Sequence, residues 1–236
     1  MCTVSFVYSN DTIIITSNRD EKVARPKAIN PKTYLGNYKK MYFPKDAKAG
    51  GTWYVLDDYG NVIVLLNGAS EKHELQNNYR KSRGLILLEI FDSSNCIVQW
   101  NTIDLNNIEP FTLVVYFEKK LFQCRWDGIT KQIIELDAKG KYIWSSSTLY
   151  PLEIRKERET LFNEFTQSKT VILPVDMSHF HEHTKDDDPK YGLIINRNNK
   201  LVTLSITQTV IHHNKIQFTH KDLLENKIHQ NNFLII

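Results

Sequence analysis

The sequence has no apolar run long enough to cross a membrane as a helix: stretches such as Ile13 to Ile15 and Val62 to Leu66 fall far short of the roughly 18 residues a span needs. No basic, apolar, small-residue leader precedes the first strand-like segment, so a cytoplasmic protein is expected. Cysteine is scarce. Three residues, an odd number at wide and unequal spacing, exclude a disulfide framework and a zinc ribbon and suit a reducing compartment. Charge of one sign is lacking too: 30 Lys+Arg against 27 Asp+Glu leave a net +3, spread without a stripe. That excludes the electrostatic footprint of a nucleic-acid binder. Repeats and low-complexity tracts are absent. What remains is ordinary globular composition, 41% hydrophobic and 24% charged over 236 residues, which is enough to bury a core and excludes intrinsic disorder.

Patterning predicts an α+β protein built on two mainly antiparallel sheets, with residues 1–236 as a single domain. Cys2 to Tyr8 and Thr12 to Ser17 flank the turn formers Ser9, Asn10 and Asp11 and read as a hairpin. Lys22 to Lys48, dotted with Pro26, Pro31 and Pro44, reads as an irregular surface excursion. A second hairpin is expected from Gly51–Leu56 and Asn61–Asn67, then a helix from about Arg83 to Asp92. Phe111–Phe117, Leu121–Trp126 and Lys131–Leu136 read as a meander. Pro151 opens a second helix ending near Gln167, with Leu152, Arg155, Arg158, Leu161, Phe162 and Phe165 along one face. Beyond the charged break at Asp186 to Pro189, Gly192–Ile195, Leu201–Val210 and Lys215–Phe218 read as strands, and the chain from Asp222 onward as an amphipathic tail.

Cys2 is the first residue with chemical promise. Removal of Met1 before a small side chain leaves cysteine with a free α-amine, whose ordinary pKa near 8 suits a base working at neutral pH. The simpler reading is a small buried hydrophobe. Asn18-Arg19-Asp20-Glu21 is expected where the second strand leaves the sheet, returned by the hairpin toward Cys2. An arginine there would favour the thiolate and a carboxylate would hold the amine, unless the tetrapeptide is a solvated turn. Gly50-Gly51-Thr52-Trp53 lacks the lysine and helix of a phosphate loop and reads as a tight turn with a covering tryptophan. His179, His181 and His183 would share one side of a strand, whereas a helix pairs only His179 with His183. No metal site is expected, and Cys96 and Cys124, in apolar surroundings, are expected to be buried and inert.

Met1-Cys2, Asn18-Arg19-Asp20-Glu21, Arg25-Pro26, Gly50-Gly51-Thr52-Trp53 and Asn67 occur together in the order seen in the NRDE proteins, the family of Transport and Golgi organisation protein 2, which this chain resembles. Ser82-Arg83-Gly84-Leu85 and the serine-rich Ser145 to Thr148 extend the likeness over residues 1–165. The resemblance implies a four-layer αββα sandwich similar to N-terminal nucleophile hydrolases, especially the cysteine branch with penicillin V acylase and bile-salt hydrolase. Carried over by position, it makes Cys2 the nucleophile, Arg19 the cation beside the thiolate, Asp20 the carboxylate that orients the amine, and Asn67 an oxyanion donor. Such a donor is worth about 3–4 kcal/mol. Asn18, Glu21 and Ser146 fall where substrate would be held.

The sequence also departs from that branch. Arg19 and Asp20 are adjacent rather than two residues apart, so the carboxylate is either Asp20 or Glu21. Serines stand at 145–147 where an asparagine is expected, and Thr203 to Val210 hold no counterpart of a late arginine. Two functions follow. One is hydrolysis of a non-peptide carbon–nitrogen bond in a small-molecule substrate, without a cofactor. The other, implied by the family, is non-catalytic binding or trafficking of haem or an acyl or lipid metabolite on the same fold; the sequence has no Cys-x-x-Cys-His haem attachment motif.

Overall fold

The computed structural model describes residues 3–76 and 78–235. Strands β1 (Thr3–Ser9) and β2 (Thr12–Lys22) form the expected hairpin, closed through Asn10 and Asp11, both at positive φ. Asn18 to Glu21 do not leave the sheet but lie inside β2. The strand continues because β1 pairs with it as far as Asn18 and a later strand pairs with it as far as Lys22. The segment expected to be irregular contains β3 (Ile29–Leu35) and β4 (Lys40–Lys45). Pro31 fits because β3 is an edge strand whose register shifts between Ile29 and Lys32.

The second hairpin is β5 (Tyr54–Leu56) and β6 (Val62–Asn67), as expected. Helix α1 (Arg83–Phe91) starts at the predicted place, capped by Ser82, whose hydroxyl accepts from the Leu85 N–H. A short α2 (Cys96–Thr102), which the sequence reading missed, follows at once, because Asn95 Oδ1 accepts from the N–H groups of Ile97 and Val98. The meander is β7 (Phe111–Phe117), β8 (Lys120–Trp126) and β9 (Lys131–Leu136). It is followed by the unforeseen β10 (Lys141–Ser145).

Helix α3 (Leu152–Gln167) matches its expected span. His179 to His183 are not a strand. They end α4 (Pro174–His183), which Pro174 opens and Asp176 caps by accepting the Leu173 N–H. Gly192–Ile195 is not a strand either. The pairing residues are the two of β11 (Asn196–Arg197), followed by β12 (Leu201–His212), β13 (Lys215–Asp222) and β14 (Lys227–Leu234). The expected amphipathic tail is therefore an edge strand, hidden in the sequence by its low hydrophobicity.

Contacts divide the chain into two compact units. In one, formed by the chain up to Arg25 and from Lys139 on, the sheet order is β10-β1-β2-β12-β13-β14 with β11 on β12. The rung Ser145–Thr3–Asn18 fixes which residues share a face. Thr3, Ser5, Val7, Ile14, Thr16, Asn18 and Asp20 fall on one side, and Val4, Phe6, Ser17 and Arg19 on the other. Val7 and Ile14 pack with Phe162 of α3 and Met177 and Phe180 of α4 in a buried core. The first face is thus the helix-covered one.

The other unit, Pro26–Ala138, carries the sheet β3-β4-β5-β6-β7-β8-β9 with α1 and α2. Here Gly51 and Gly84 approach so closely that a Cβ on Gly51 would stand 2.6 Å from the Leu85 nitrogen and one on Gly84 2.6 Å from the Thr52 carbonyl oxygen. Two of the sequence landmarks that carry the family resemblance are therefore one backbone contact.

Candidate functional site

The helix-covered face of β2 carries two buried polar networks. In the first, Asn18 donates from Nδ2 to the carbonyls of His181 (3.0 Å) and Leu193 (2.7 Å), while its Oδ1 lies 2.6 Å from His181 Nδ1. His181 Nε2 is 2.7 Å from Ser5 Oγ. Because Asn18 Oδ1 can only accept, Nδ1 carries the ring proton and Nε2 accepts from the Ser5 hydroxyl. Burial, and then the neighbouring Arg158 cation, push the His181 pKa down to about 3, so the ring is neutral at pH 7.

The second network surrounds Asp20. Its Oδ2 accepts from the Tyr150 hydroxyl and its Oδ1 from the Thr203 hydroxyl, each at 2.6 Å. Tyr150 in turn lies beneath Arg158, whose guanidinium carbon is 3.7 Å from the ring centroid. Arg158, on α3, is only 2% exposed. It donates from Nη1 to Thr3 Oγ1 (2.6 Å) and from Nη2 to the carbonyls of Tyr191 (3.0 Å) and Gly192 (2.6 Å). Sequence reasoning gave Arg158 no role, although the stripe of α3 already ran through it.

Arg19 and Asp20, adjacent in sequence, point to opposite faces. In the register of β12, Thr203 pairs with Asp20 and Ser205 with Arg19, so Leu204 is the extra residue of a bulge and the two hydroxyls lie on opposite sides. The Arg19 face is buried and polar, with Ser17, Ser205, Thr207 and His220. His220 accepts or donates at Nδ1 to Thr207 Oγ1 (2.8 Å), and burial holds its pKa at about 4.

The remaining expected residues are less alike. Glu21 is half-buried, bonded to its neighbour's N–H and 3.6 Å from Arg25. Ser146 is buried, with Oγ 2.9 Å from Thr148 Oγ1. Asn67 ends β6 in the other unit, half-buried. Cys2 lies outside the described residues. His179 and His183 meet at a tilt on the exposed side of α4 with centroids 4.6 Å apart, while His181 turns inward. Cys96 and Cys124 are buried as expected, their thiols pushed up to about 11 and about 12 by burial. Among the described residues no group of three or more His, Cys, Asp and Glu could hold a metal ion.

A variant of conjugated bile acid hydrolase from Clostridium perfringens matches this structure with a TM-score of 0.63 at 7% identity, covering 98% of this chain and 92% of that chain. An N-acylethanolamine-hydrolyzing acid amidase ortholog from Caenorhabditis elegans matches with 0.61 at 10% identity, covering 88% and 92%. A second variant of the bile acid hydrolase matches with 0.55 at 8% identity, covering 98% and 96%. At such identities the likeness is one of fold, and it agrees with the α+β fold of two antiparallel sheets with helices expected from the sequence. No curated protein matches the chain by sequence. The family model for Transport and Golgi organisation 2 matches residues 1–209, and the chain belongs to that family.

Proposed function

We propose that residues 1–236 act as one domain, an N-terminal nucleophile amidohydrolase that cleaves a non-peptide carbon–nitrogen bond with Cys2 as nucleophile. The observation that carries this reading is the setting of Thr3, the residue after Cys2. It is fully buried on the rung between Ser145 and Asn18, in a fold whose neighbours are named for hydrolysis of conjugated bile acid and N-acylethanolamine.

Met1 is removed, and the thiol of Cys2 passes its proton to its own α-amine as sulfur bonds to the carbonyl carbon. The carbonyl π pair moves to oxygen, where the Asn67 carboxamide, in the role the resemblance gives it, donates to the oxyanion. When the oxyanion collapses, the carbon–nitrogen bond breaks and the leaving amine takes the proton back from the α-ammonium. Water then cleaves the thioester, releasing the carboxylic acid and the free thiol. Arg19 favours thiolate, and Asp20 is the carboxylate nearest in kind to the amine's needs, being buried where Glu21 is not. Ser146 completes the substrate setting, and Asn18, whose carboxamide is taken up by His181 and Leu193, supports it from beneath by holding α4.

The substrate is a small acyl amide handled in the cytoplasm, with no nucleic-acid partner. The near-neutral charge fits this, and no helix of the described residues is long and apolar enough to cross a membrane. The test is intact mass followed by turnover of a panel of N-acylethanolamines and N-acyl amino acids by the protein and by Cys2→Ala. Loss of Met1 with turnover abolished in Cys2→Ala is the expected result. Retained Met1, or turnover unchanged in Cys2→Ala, overturns it, and a saturable spectral shift on haem titration would then favour ligand carriage.

A further inference from the structure

Arg158 is a buried cation without a counter-ion. Its hydrogen bonds end on one hydroxyl and two carbonyls, its Nε has no partner, and no carboxylate touches it among the described residues. Removing a charge from water without pairing it costs several kcal/mol, and packing alone would be served as well by an apolar side chain. The compensation is indirect. The Tyr150 ring under the guanidinium donates its hydroxyl to Asp20, so carboxylate, phenol and guanidinium form one chain whose far end reaches Thr3 Oγ1.

We propose that Arg158 is a positioning residue that sets the α-amine of Cys2, keeping it unprotonated and competent as a base. The inference rests on the amidohydrolase reading. A fixed positive charge disfavours a second one nearby, and it does so most strongly where water is excluded. Thr3, one peptide bond from Cys2, is bonded directly to the guanidinium, and His181 on α4 already feels the same field. The other groups around this chain are Asp20 on β2, neutral His181 on α4, and Arg197 on β11, 5.2 Å from the Tyr150 ring, whereas Arg19 points to the opposite face of β2 beside His220. Asp20 pulls the amine the other way and Arg197 the same way, so the contribution of Arg158 is read as a difference between variants.

The experiment follows the 15N resonance of the α-amine in protein shown by mass to begin at Cys2, from about pH 5 to about pH 9, for the wild type, Arg158→Gln and Arg158→Lys. Arg158→Gln is expected to titrate about one unit higher than the wild type, with a matching tenfold loss in iodoacetamide labelling of Cys2 on the acid side. Arg158→Lys, which keeps the charge, restores most of the shift. Should Arg158→Gln not fold, Thr3→Val releases the guanidinium from its neighbour while leaving it in place, and a smaller shift in the same direction is expected. Identical amine titration in folded Arg158→Gln or Thr3→Val, or retention of Met1, overturns the proposal. A shifted amine in a protein whose amide turnover ignores Cys2→Ala would sink the hydrolase reading alone.

Discussion

His181 and Asn18 are joined at both ends of the carboxamide: the ring Nδ1 stands 2.6 Å from Asn18 Oδ1, and the His181 carbonyl accepts from Asn18 Nδ2. With Ser5 on the other ring nitrogen the arrangement has the outline of a hydroxyl, imidazole and orienting-amide relay. All three residues are 0% exposed and the imidazole pKa is about 3, so it cannot serve as a base near neutrality. Its work is to clamp α4 onto β2.

The clamp makes stability depend on pH. In the unfolded chain His181 and His220 titrate at 6.5, whereas in the folded protein burial holds them at about 3 and about 4. Between those values the unfolded chain binds protons that the folded one does not. The stabilisation is therefore complete above pH 6.5 and is lost as pH falls toward about 4 and about 3. Each histidine contributes a slope of roughly 1 kcal/mol per pH unit in that window. Asp127, Asp176 and Asp188, held below their usual value chiefly by hydrogen bonds from neighbouring groups, add their own loss only at lower pH. Urea midpoints measured at about pH 7 and about pH 5 should fall, and His220→Gln should remove about half the slope. A flat profile would mean that these rings are protonated in the fold.

Central strand pairing and helices α1 and α3 were legible because their periodicity survives whatever packs on them, whereas α4, with its weak apolar stripe, was not. The hidden strands share a cause. Edge strands β3 and β14 carry proline, asparagine and histidine at positions that a central strand would fill with apolar residues. Asn18 to Glu21 read as a turn because four polar residues in a row rarely lie in a strand. Here alternation and the bulge at Leu204 put Thr203 on the Asp20 face, where its hydroxyl donates to the carboxylate, and Ser205 on the Arg19 face, an arrangement that exists only once β12 is in place. The chemistry of Cys2, Arg19 and Asp20 was visible as residue types. Arg158 was not, since a lone arginine on a helix stripe looks like a solvated face until Thr3 and Tyr150 are seen against it.

Gly51 and Gly84 should tolerate no side chain. An alanine in the first turn of α1 would ordinarily gain about 1 kcal/mol over glycine. At Gly84 the added Cβ would meet backbone, the Thr52 carbonyl oxygen, which cannot swing aside. Overpacking of that kind costs about 1–3 kcal/mol, so Gly84→Ala is expected to be net destabilising and Gly51→Ala more so, without the helical gain. Chemical denaturation decides the sign, and a stabilised Gly84→Ala would show that α1 moves freely off the Gly51 loop.

The two adjacent acids should separate cleanly. Asp20→Ala removes the 2.6 Å acceptor of the buried Tyr150 and Thr203 hydroxyls, leaving Thr203 only the longer 3.5 Å approach to the Leu193 carbonyl, at about 1–3 kcal/mol in all. Glu21 is paired with Arg25 at 3.6 Å across partly exposed side chains, an interaction worth about 0–1 kcal/mol. Thermal unfolding of Asp20→Ala should therefore drop well below that of Glu21→Gln. Comparable losses from both would mean that the hydroxyls of Tyr150 and Thr203 contribute no more to stability through Asp20 than Arg25 does through Glu21.

Helix α2 has only seven residues and would be marginal alone. Asn95 closes its start, and Lys131 at the head of β9 closes its end, with Nζ donating to the carbonyls of Trp100 and Asn101 at 3.0 Å and to that of Ile103. Three charge-assisted bonds would suggest a large contribution. Burial of the ammonium, which holds its pKa below the ordinary value against the pull of Asp104, offsets part of it. Lys131→Met, which removes both the bonds and the buried charge, is thus expected to cost about 1–2 kcal/mol, with amide exchange quickening at Gln99 to Ile103 before it does in the neighbouring sheet. If exchange there is unchanged while global stability falls, the lysine holds β9 rather than the helix end.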